Sequence, residues 1–461
     1  MPAPSTPIHV FVAVAIYISV GFLEQSALPA FLAEVEIKKF PNATKDQISL
    51  AVTGHMAMCT LSLGILAVIV AGWAGRLSDR FGRRTMACIP ALGQAVSMVL
   101  LAIAAYEELD WHYVVAAWAA QGVCGGPFVF LAAAFAYIAD HRQRDAAAKR
   151  GRAFAALDAL LLYVGCIGPL VGTVLVSKVG FWGAFATCAG VYTVAALTFA
   201  LAPPSPQPPA KPAGACRAWA ASATPVMIVR ALRTARLRVL CVAFLFAMGG
   251  STGGAISVVF YGQRYLNWGQ QQVALYFVGF GASSATMILA LQPALSRLRG
   301  RTLTDHDMVR IAYLGPTVYF GLLGVLPRTD VLAYALLPIF ALGPAGLPHF
   351  RALFSIACPD EAQGEQMSFV AALESLPQLY AAPLAALAFR AAMHTPQLVL
   401  VACAAVPLVA TILLCLLPQS RRAPGGADEE PARAAALIVN ETPAALLLVH
   451  EAAGASDEGV V

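Results

Sequence analysis

The sequence predicts an all-α membrane protein in which twelve transmembrane helices form two six-helix bundles. Three observations support this prediction: the low content of charged residues, the length of the apolar segments, and the distribution of Lys and Arg between the loops. Charged residues make up 12% of the 461 residues, about half the share that is usual in soluble domains. The apolar segments reach the length of about 20 residues that a helix needs to cross a ~30 Å hydrocarbon layer.

Twelve such segments can be counted, and we refer to them as spans 1 to 12. None shows the alternation of polar and apolar residues that a membrane β-barrel requires, so each is predicted to be a helix. In chain order the spans cover residues 8–32, 48–74, 85–105, 111–139, 152–177, 180–202, 237–262, 270–296, 308–327, 330–353, 366–391 and 396–418.

The basic residues alternate between the two sides of the predicted membrane. With a cytoplasmic N-terminus, 23 of the 30 Lys and Arg residues fall in inside segments and 7 in outside segments. This asymmetry is the positive-inside pattern. It predicts that both termini are cytoplasmic and that residues 33–47 and 105–112 face outwards. The net charge of +5 comes from the inside loops, so it indicates topology and not nucleic-acid binding.

The spans fall into two groups of six. We predict an N-terminal bundle at 1–202, a cytoplasmic linker at 203–236, a C-terminal bundle at 237–418 and a cytoplasmic tail at 419–461. The linker begins Pro-Pro-Ser-Pro, a composition typical of flexible or partly helical connections. For the tail, disorder is the prediction and a docked amphipathic helix is the alternative.

The two halves share short sequence matches at equivalent places. Residues 75–84 align with 293–302, each between the second and third span of its half. Ala-Ala-Leu-Asp at 155–158 aligns with Ala-Ala-Leu-Glu at 371–374, and both are followed by Leu-Tyr and Pro-Leu pairs. Parallel six-span repeats place a substrate site at their interface, near the middle of the bilayer.

The turn between spans 2 and 3 is Gly-Arg-Leu-Ser-Asp-Arg-Phe-Gly-Arg-Arg at 75–84. Position for position, it resembles the loop that transporters of the major facilitator superfamily carry between their second and third spans. In that family the Asp and Arg residues of the loop tie helix ends together on the cytoplasmic side and release them as the protein rocks. A simple topology marker is the alternative. The resemblance implies a gating role for Gly75, Asp79, Arg80, Gly82, Arg83 and Arg84.

Further segments resemble the proton-coupled folate transporter group and the tetracycline–proton antiporters of the same superfamily. They are Phe-Ala-Tyr-Ile-Ala-Asp at 135–140, the segment 152–158 after a basic loop, and Arg-Ala-Leu-Phe-Ser at 351–355. In the folate group the span 5 acid is linked to proton coupling and the span 10 arginine to substrate and coupling. The resemblance implies these roles for Asp158 and Arg351.

Ionisable residues inside the spans are candidates on physical grounds as well. A lone ionised side chain at mid-bilayer costs about 2.5–3.5 kcal/mol on insertion scales, so it usually faces a cavity or a partner. Carboxyl groups away from water, and histidines, can exchange protons near physiological pH. A structural hydrogen bond is the alternative for each, or for Asp158 an ion pair with Arg150 or Arg152. The predicted proton-coupling residues are Asp158, Glu374, Glu24 and His55.

Glycine and proline clusters mark spans 4, 5, 7 and 10. The span 5 cluster resembles the glycine-proline motif of the proton-linked branches of the superfamily. Interrupted helices at corresponding positions point to a binding site, and close helix packing is the alternative. Predicted hinge or packing positions are Gly168, Pro169, Gly172, Gly250, Gly253 and Pro344. Predicted substrate contacts are Gln25, Gln121 and Arg351, of which the arginine would suit an anionic group.

The sequence contains no phosphate-binding P-loop, His/Asp/Glu metal cluster, nucleophile–base pair or C-x-x-C motif among its ten cysteines. We therefore expect no enzymatic activity, catalytic residue, metal or cofactor, and the proton gradient would supply the driving force. The predicted function is secondary active transport of a small organic solute by alternating access, by a protein that is a monomer in the lipid bilayer. An uncoupled facilitator and a transporter-like solute sensor are the alternatives. Substrate, direction of coupling and host membrane are left open.

Overall fold

Long apolar segments form helices because a backbone in hydrocarbon must satisfy its own hydrogen bonds. The computed structural model describes residues 8–141, 147–204, 235–299, 303–326, 329–356, 363–392 and 394–416, and these form helices and no strand. The predicted tail 419–461 lies outside the described residues, as does the predicted linker apart from 203–204 and 235–236.

In the N-terminal half the helices are α1 Ile8–Lys39, α2 Lys45–Phe81, α3 Arg83–Tyr106, α4 Trp111–Val123, α5 Gly126–His141 and α6 Ala147–Ala200. In the C-terminal half they are α7 Ala235–Tyr265, α8 Gln270–Arg299, α9 Asp305–Val325, α10 Asp330–Ala335, α11 Leu337–Phe340, α12 Leu342–Ala345, α13 Leu347–Ile356, α14 Gln363–Ala391 and α15 Pro396–Leu416.

Within the described residues, eleven helical stretches are long and apolar enough to cross a membrane. One of them, Ala153–Ala200, has 48 residues, which at 1.5 Å per residue is about 70 Å, twice the thickness of the hydrocarbon layer. It is broken at Gly180, where φ is 71°, a left-handed conformation that glycine adopts without strain. This stretch therefore supplies spans 5 and 6, and the predicted twelve-span fold class is confirmed.

Spans 4 and 10 are interrupted helices, while span 7 is continuous. Span 4 consists of α4 and α5, which meet at Gly125 with φ 92°, and span 10 consists of the four short helices α10 to α13. In span 7 the glycine-rich segment instead lies inside the single helix α7. A Cβ at Gly249 or Gly254 would overlap the ring of Tyr380 or Phe320 respectively. The span 7 glycines thus allow close helix packing, the alternative that the sequence left open.

The two halves meet through small apolar side chains. Both halves belong to one compact unit, Met1–Leu417, so the contacts between them lie within that unit. In one patch, Ala71, Ala74, Met86 and Val129 pack with Ala372 of span 11. In a second patch, Ala159 of span 5 packs with Ala285, Ile288 and Ala345. Small residues such as these alanines let helices approach closely in a membrane.

Candidate functional site

One arginine and two acids from three spans meet between the halves. Arg351 lies in α13, Asp158 in the span 5 part of α6, and Glu374 in α14. Arg351 Nη1 lies 2.6 and 2.7 Å from the two carboxylate oxygens of Asp158. Arg351 Nε and Nη2 lie 3.1 and 2.7 Å from Glu374 Oε1. A single guanidinium therefore holds one acid from each half, and we call these three residues the interface cluster.

The interface cluster is removed from solvent. The exposed fractions are 3% for Asp158, 4% for Arg351 and 7% for Glu374. The ring of Phe135 lies under the guanidinium, with its centroid 4.1 Å from the central carbon, a favourable cation–π arrangement. With both acids ionised the cluster carries a net charge of −1, and one bound proton makes it neutral. A buried net charge is costly, so the proton occupancy of this cluster matters to its stability.

The two acids of the interface cluster come from the segments that match in the two halves. Asp158 and Glu374 end the segments 155–158 and 371–374, and the structure brings both to the same guanidinium. The sequence also allowed an ion pair of Asp158 with Arg150 or Arg152. The structure pairs it with Arg351 of the other half, and the side chains of Arg150 and Arg152 lie outside what it describes.

The turn at 75–84 holds a second buried charge network. Gly82 ends α2 and begins α3 with φ 90°, and the next side chain, Arg83, is only 3% exposed. Its Nη1 lies 2.5 Å from Asp79 Oδ1 and 3.0 Å from Ser78 Oγ. Its Nε donates to Asp140 Oδ2 at 2.9 Å. Arg83 therefore ties the end of span 2 to the end of span 4, with Asp140 as a partner that the sequence did not assign.

The neighbouring arginine caps the last span of its half. Arg84 Nη1 donates to the carbonyl of Ala202 at 2.7 Å, just beyond α6. In the other half, Arg310 of α9 donates to the carbonyl of Leu414 in α15 at 3.0 and 2.7 Å. Cations bind favourably at the carbonyl end of a helix, and in each half an arginine caps the end of the last span in this way. Of the remaining predicted gating residues, Gly75 is buried within α2 and Arg80 lies 5.5 Å from the ring of Phe81.

A third polar group lies inside the N-terminal half. Glu24 of α1 is 3% exposed, and Gln94 Nε2 of α3 donates to its Oε2 at 2.7 Å. Gln121 Nε2 of α4 donates to Gln94 Oε1, and the hydroxyl of Tyr17 lies 3.5 Å from that same oxygen. We call these four residues the bundle network. The sequence singled out Glu24 and Gln121 but not Gln94, whose amide connects them.

The predicted substrate contacts are not brought together. Arg351 is held by the two acids of the interface cluster, and Gln121 is bonded inside the bundle network. Gln25 is exposed on α1, one residue along from the buried Glu24 and therefore on another face of the helix.

His55 of α2 lies apart from both groups. Its Nε2 is 2.9 Å from Glu36 Oε1, and its ring stacks on Trp111 at a centroid distance of 4.3 Å. This pairing with a buried acid on α1 could not be read from the sequence. In the described part of the chain, no three His, Cys, Asp or Glu side chains are placed to hold a metal ion together.

The predicted hinge or packing residues lie at helix contacts. A Cβ at Gly168 would overlap the carbonyl of Ser19, and one at Gly172 would lie 3.0 Å from the side chain of Leu23. These glycines, on either side of Pro169, thus bring span 5 against α1 at backbone distance. In the other half a Cβ at Gly250 would meet Pro407 at 2.6 Å, a Cβ at Gly253 would meet the Ala381 carbonyl at 3.3 Å, and Pro344 lies within the short helix α12.

Comparison with known proteins connects this architecture to a family. Residues 11–382 match the family model described as Major Facilitator Superfamily. A curated relative is the tetracycline resistance protein, class C, of Escherichia coli. It is 25% identical over 347 residues, which are 73% of this chain and 80% of the relative.

Solved structures share the fold over most of the chain. The human organic anion transporter MFSD10 (TETRAN) has a TM-score of 0.70 at 18% identity, over 90% of this chain and all of that one. The proton:xylose symporter XylE, bound to 6-bromo-6-deoxy-D-glucose, has a TM-score of 0.64 at 16% identity, over 90% and 97% of the two chains. At these identities the likeness concerns the fold.

Proposed function

Because this chain belongs to the Major Facilitator Superfamily of membrane transporters, we propose that it is a proton-coupled secondary transporter of a small organic solute. Transport would occur by alternating access, with the two halves rocking about a binding site between them. The observation that carries the proposal is the interface cluster, in which two acids share one guanidinium across the boundary between the halves.

The shared guanidinium supplies a coupling step. With one acid protonated, the cluster is neutral and Arg351 needs only one carboxylate partner. When the proton leaves, Arg351 is drawn to both acids, and spans 5, 10 and 11 are held together. Proton binding therefore weakens the tie between Asp158 and the C-terminal half, which is the contact that must break when the halves separate. Asp158 and Glu374 are the proposed coupling acids, with Glu24 and His55 as further candidates at separate places.

The same guanidinium favours an anionic solute. A substrate carboxylate could replace a protonated acid as the partner of Arg351, because guanidinium binds carboxylates in a bidentate manner. Organic anions and tetracycline are the first compounds to test, because a human organic anion transporter has a similar fold and a tetracycline resistance protein is a relative. Gln25 remains a proposed polar contact.

The turn at 75–84 is the proposed cytoplasmic gate. Arg83 links the ends of spans 2 and 4 through Asp79 and Asp140, so the network fixes the N-terminal half as one body on this side. Both termini are proposed to lie on the same side as this turn. External labelling of Cys introduced at Ala33, with no labelling at Ala213, would agree with this topology; equal labelling at both positions would exclude it.

Transport by purified protein in liposomes tests the coupling proposal. Organic carboxylates and tetracycline are assayed for uptake driven by a pH gradient and for counterflow without a gradient. We expect Asp158→Asn or Glu374→Gln to abolish gradient-driven accumulation and to leave counterflow, because exchange does not require proton release. Loss of both activities together would indicate a structural role for that acid.

The matched control is Glu34→Gln, which changes an exposed acid of α1 that pairs with Lys38 at 3.1 Å. It should leave both assays unchanged. If Asp158→Asn and Glu374→Gln both keep full accumulation with normal pH dependence, the interface cluster does not couple protons, and an uncoupled facilitator becomes the better description. Binding of a solute with neither uptake nor counterflow would favour a sensor.

A further inference from the structure

The bundle network contains a buried acid whose neighbours are neutral. Glu24 is 3%, Gln94 1%, Gln121 4% and Tyr17 1% exposed, so the group lies away from solvent. Its recorded hydrogen bonds link spans 1, 3 and 4 of one half only. In the part of the chain that the structure describes, Glu24 Oε1 and Gln121 Oε1 are buried without a hydrogen-bond partner.

Among the residues that the structure describes, none places a compensating positive charge beside Glu24. Titratable side chains in its vicinity are Tyr17 of span 1, Cys59 of span 2, and Cys188 and Tyr192 of span 6. Cys124 of span 4 lies near Tyr17. Span 3 contributes Gln94, and span 5 approaches α1 through glycines. Thiols and phenols are neutral at physiological pH, whereas a buried carboxylate without a cation is costly.

From this geometry we infer that Glu24 is a second proton-binding site, which holds its proton as a neutral carboxylic acid inside the N-terminal half. The ligand is the proton itself, and the site is separate from the interface cluster. The inference deepens the proposed proton coupling, and as an account of transport it rests on that function.

The two glutamine amides can satisfy both protonation states of the acid. With Glu24 ionised, Gln94 Nε2 donates to it, as the distances show. With Glu24 protonated, half a turn of the Gln94 amide presents Oε1 as an acceptor for the carboxyl O–H. The Gln94 NH₂ then faces Gln121, whose own amide can turn to present its unpartnered Oε1. An amide carries donors and an acceptor on opposite sides, so no charged partner is needed in either state.

The bundle network is mechanically connected to the helix of the coupling acid. Ser19 and Leu23 lie on α1 within two turns of Glu24, and they pack directly against Gly168 and Gly172 of span 5. Span 5 also carries Asp158. A change in the hydrogen bonding of Glu24 therefore acts on a helix that packs directly against span 5 at Gly168 and Gly172, and this contact connects the second proton mechanically to the interface.

Infrared spectroscopy of the purified full-length protein tests the site without a substrate or a gradient. A protonated carboxyl has a carbonyl band distinct from the carboxylate bands. In an Arg351→Met/Asp158→Asn/Glu374→Gln background, which removes the acids of the interface cluster together with their cation, we expect a carboxylic acid band at pH 7. Adding Glu24→Gln should abolish that band, adding Glu24→Asp should shift it, and adding the exposed control Glu34→Gln should leave it unchanged.

Several outcomes would overturn the inference. The band could be absent at pH 7, or it could persist in Glu24→Gln. Its loss on exchanging choline chloride for sodium chloride at constant pH would identify a cation site instead. If Glu24→Gln does not fold, the shift in Glu24→Asp decides the assignment. If the band is present but the liposome assay shows no proton coupling, the proposed function is wrong and the proton site at Glu24 stands. If coupling is present but the band is absent, the proposed function stands and the proton site at Glu24 is wrong.

Discussion

Two acids in the N-terminal half are equally buried but have opposite surroundings. Asp158 and Glu24 are each 3% exposed. Asp158 is bound by the guanidinium of Arg351 from the other half, whereas Glu24 accepts a hydrogen bond from the neutral amide of Gln94 in its own half. Burial alone therefore does not define the chemistry of an intramembrane acid; the charge and the origin of its partner do.

The difference separates two mechanical roles. An ion pair between the halves must be broken when they move apart, so its strength contributes directly to the equilibrium between transport states. A hydrogen-bond network within one half can stay intact through the same motion. Substitutions should therefore cost stability according to the unpaired buried charge that they leave.

The largest effect is expected for Arg351→Met. The substitution leaves Asp158 and Glu374 buried together without their cation, a loss of about 3–5 kcal/mol of folding stability for a broken buried pair. Thermal unfolding of detergent-purified protein would measure the effect. Adding Asp158→Asn and Glu374→Gln to the same chain should restore most of the stability, because no uncompensated charge remains.

Arg310→Met is the matched control for this experiment. Arg310 donates to the carbonyl of Leu414, a neutral acceptor, and loss of this bond should cost about 1–3 kcal/mol. Equal destabilisation by both substitutions, or a triple variant no more stable than Arg351→Met, would mean that packing and not charge dominates the interface cluster.

A smaller effect is expected for Gln94→Leu in the bundle network. The substitution keeps the side-chain volume and removes the donor to Glu24, which should cost about 1–3 kcal/mol for an unsatisfied buried group. In a double-mutant cycle with Glu24→Gln, the coupling energy should be no larger than that of a neutral hydrogen bond. A cost as large as that of Arg351→Met would show that Glu24 is ionised, and the contrast with Asp158 would disappear.

The turn network offers a comparison within one cluster. The Asp140 side chain is 1% exposed and that of Asp79 is 22% exposed, yet both bind Arg83. We expect Asp140→Asn to lower the stability by about 1.5–3 kcal/mol, as for a hydrogen bond to a charged group. Asp79→Asn should leave folding largely intact and slow transport. Wild-type turnover of Asp79→Asn would remove the gating role proposed for this turn.

Much of the fold could be predicted from the sequence because the membrane constrains the length and the orientation of each span. The thickness of the hydrocarbon layer sets the length of a span, and the basic asymmetry predicts its orientation. The split of Ala153–Ala200 into two spans follows from its 48 residues. The continuity of span 7 could not be predicted from the sequence, because its glycines are equally compatible with an interrupted helix and with close helix packing. Only the position of the Tyr380 and Phe320 rings against them distinguishes the two.

The candidate site was predictable residue by residue but not in its pairings. Asp158 and Glu374 stand out as acids in apolar spans, and the repeat predicts that they occupy equivalent places. Their common partner lies 193 and 23 residues away along the chain, a separation at which only tertiary packing decides contacts. Gln94 and Asp140 were missed for a related reason: the rotation of a helix in a bundle determines whether a polar side chain faces a partner or the lipid.

The smallest effect is expected for an acid in contact with water. Asp110 precedes α4 and accepts from the backbone N–H of Trp111 at 2.8 Å, and Lys39 Nζ lies 2.8 Å from its other oxygen. The hydrogen bond from Lys39, followed by the backbone bond from Trp111, holds the pKa of Asp110 below its ordinary value. Because the folded pKa is the lower one, this contribution is complete above the unfolded pKa of about 4 and is lost as the pH falls through the folded value.

Asp110→Asn should therefore lower the stability by about 0.5 kcal/mol at neutral pH, as for an exposed helix cap, and by less under acid conditions. Thermal unfolding at both pH values measures this, and an equal loss at each would show that the capping geometry, and not the charge of Asp110, stabilises this end of span 4.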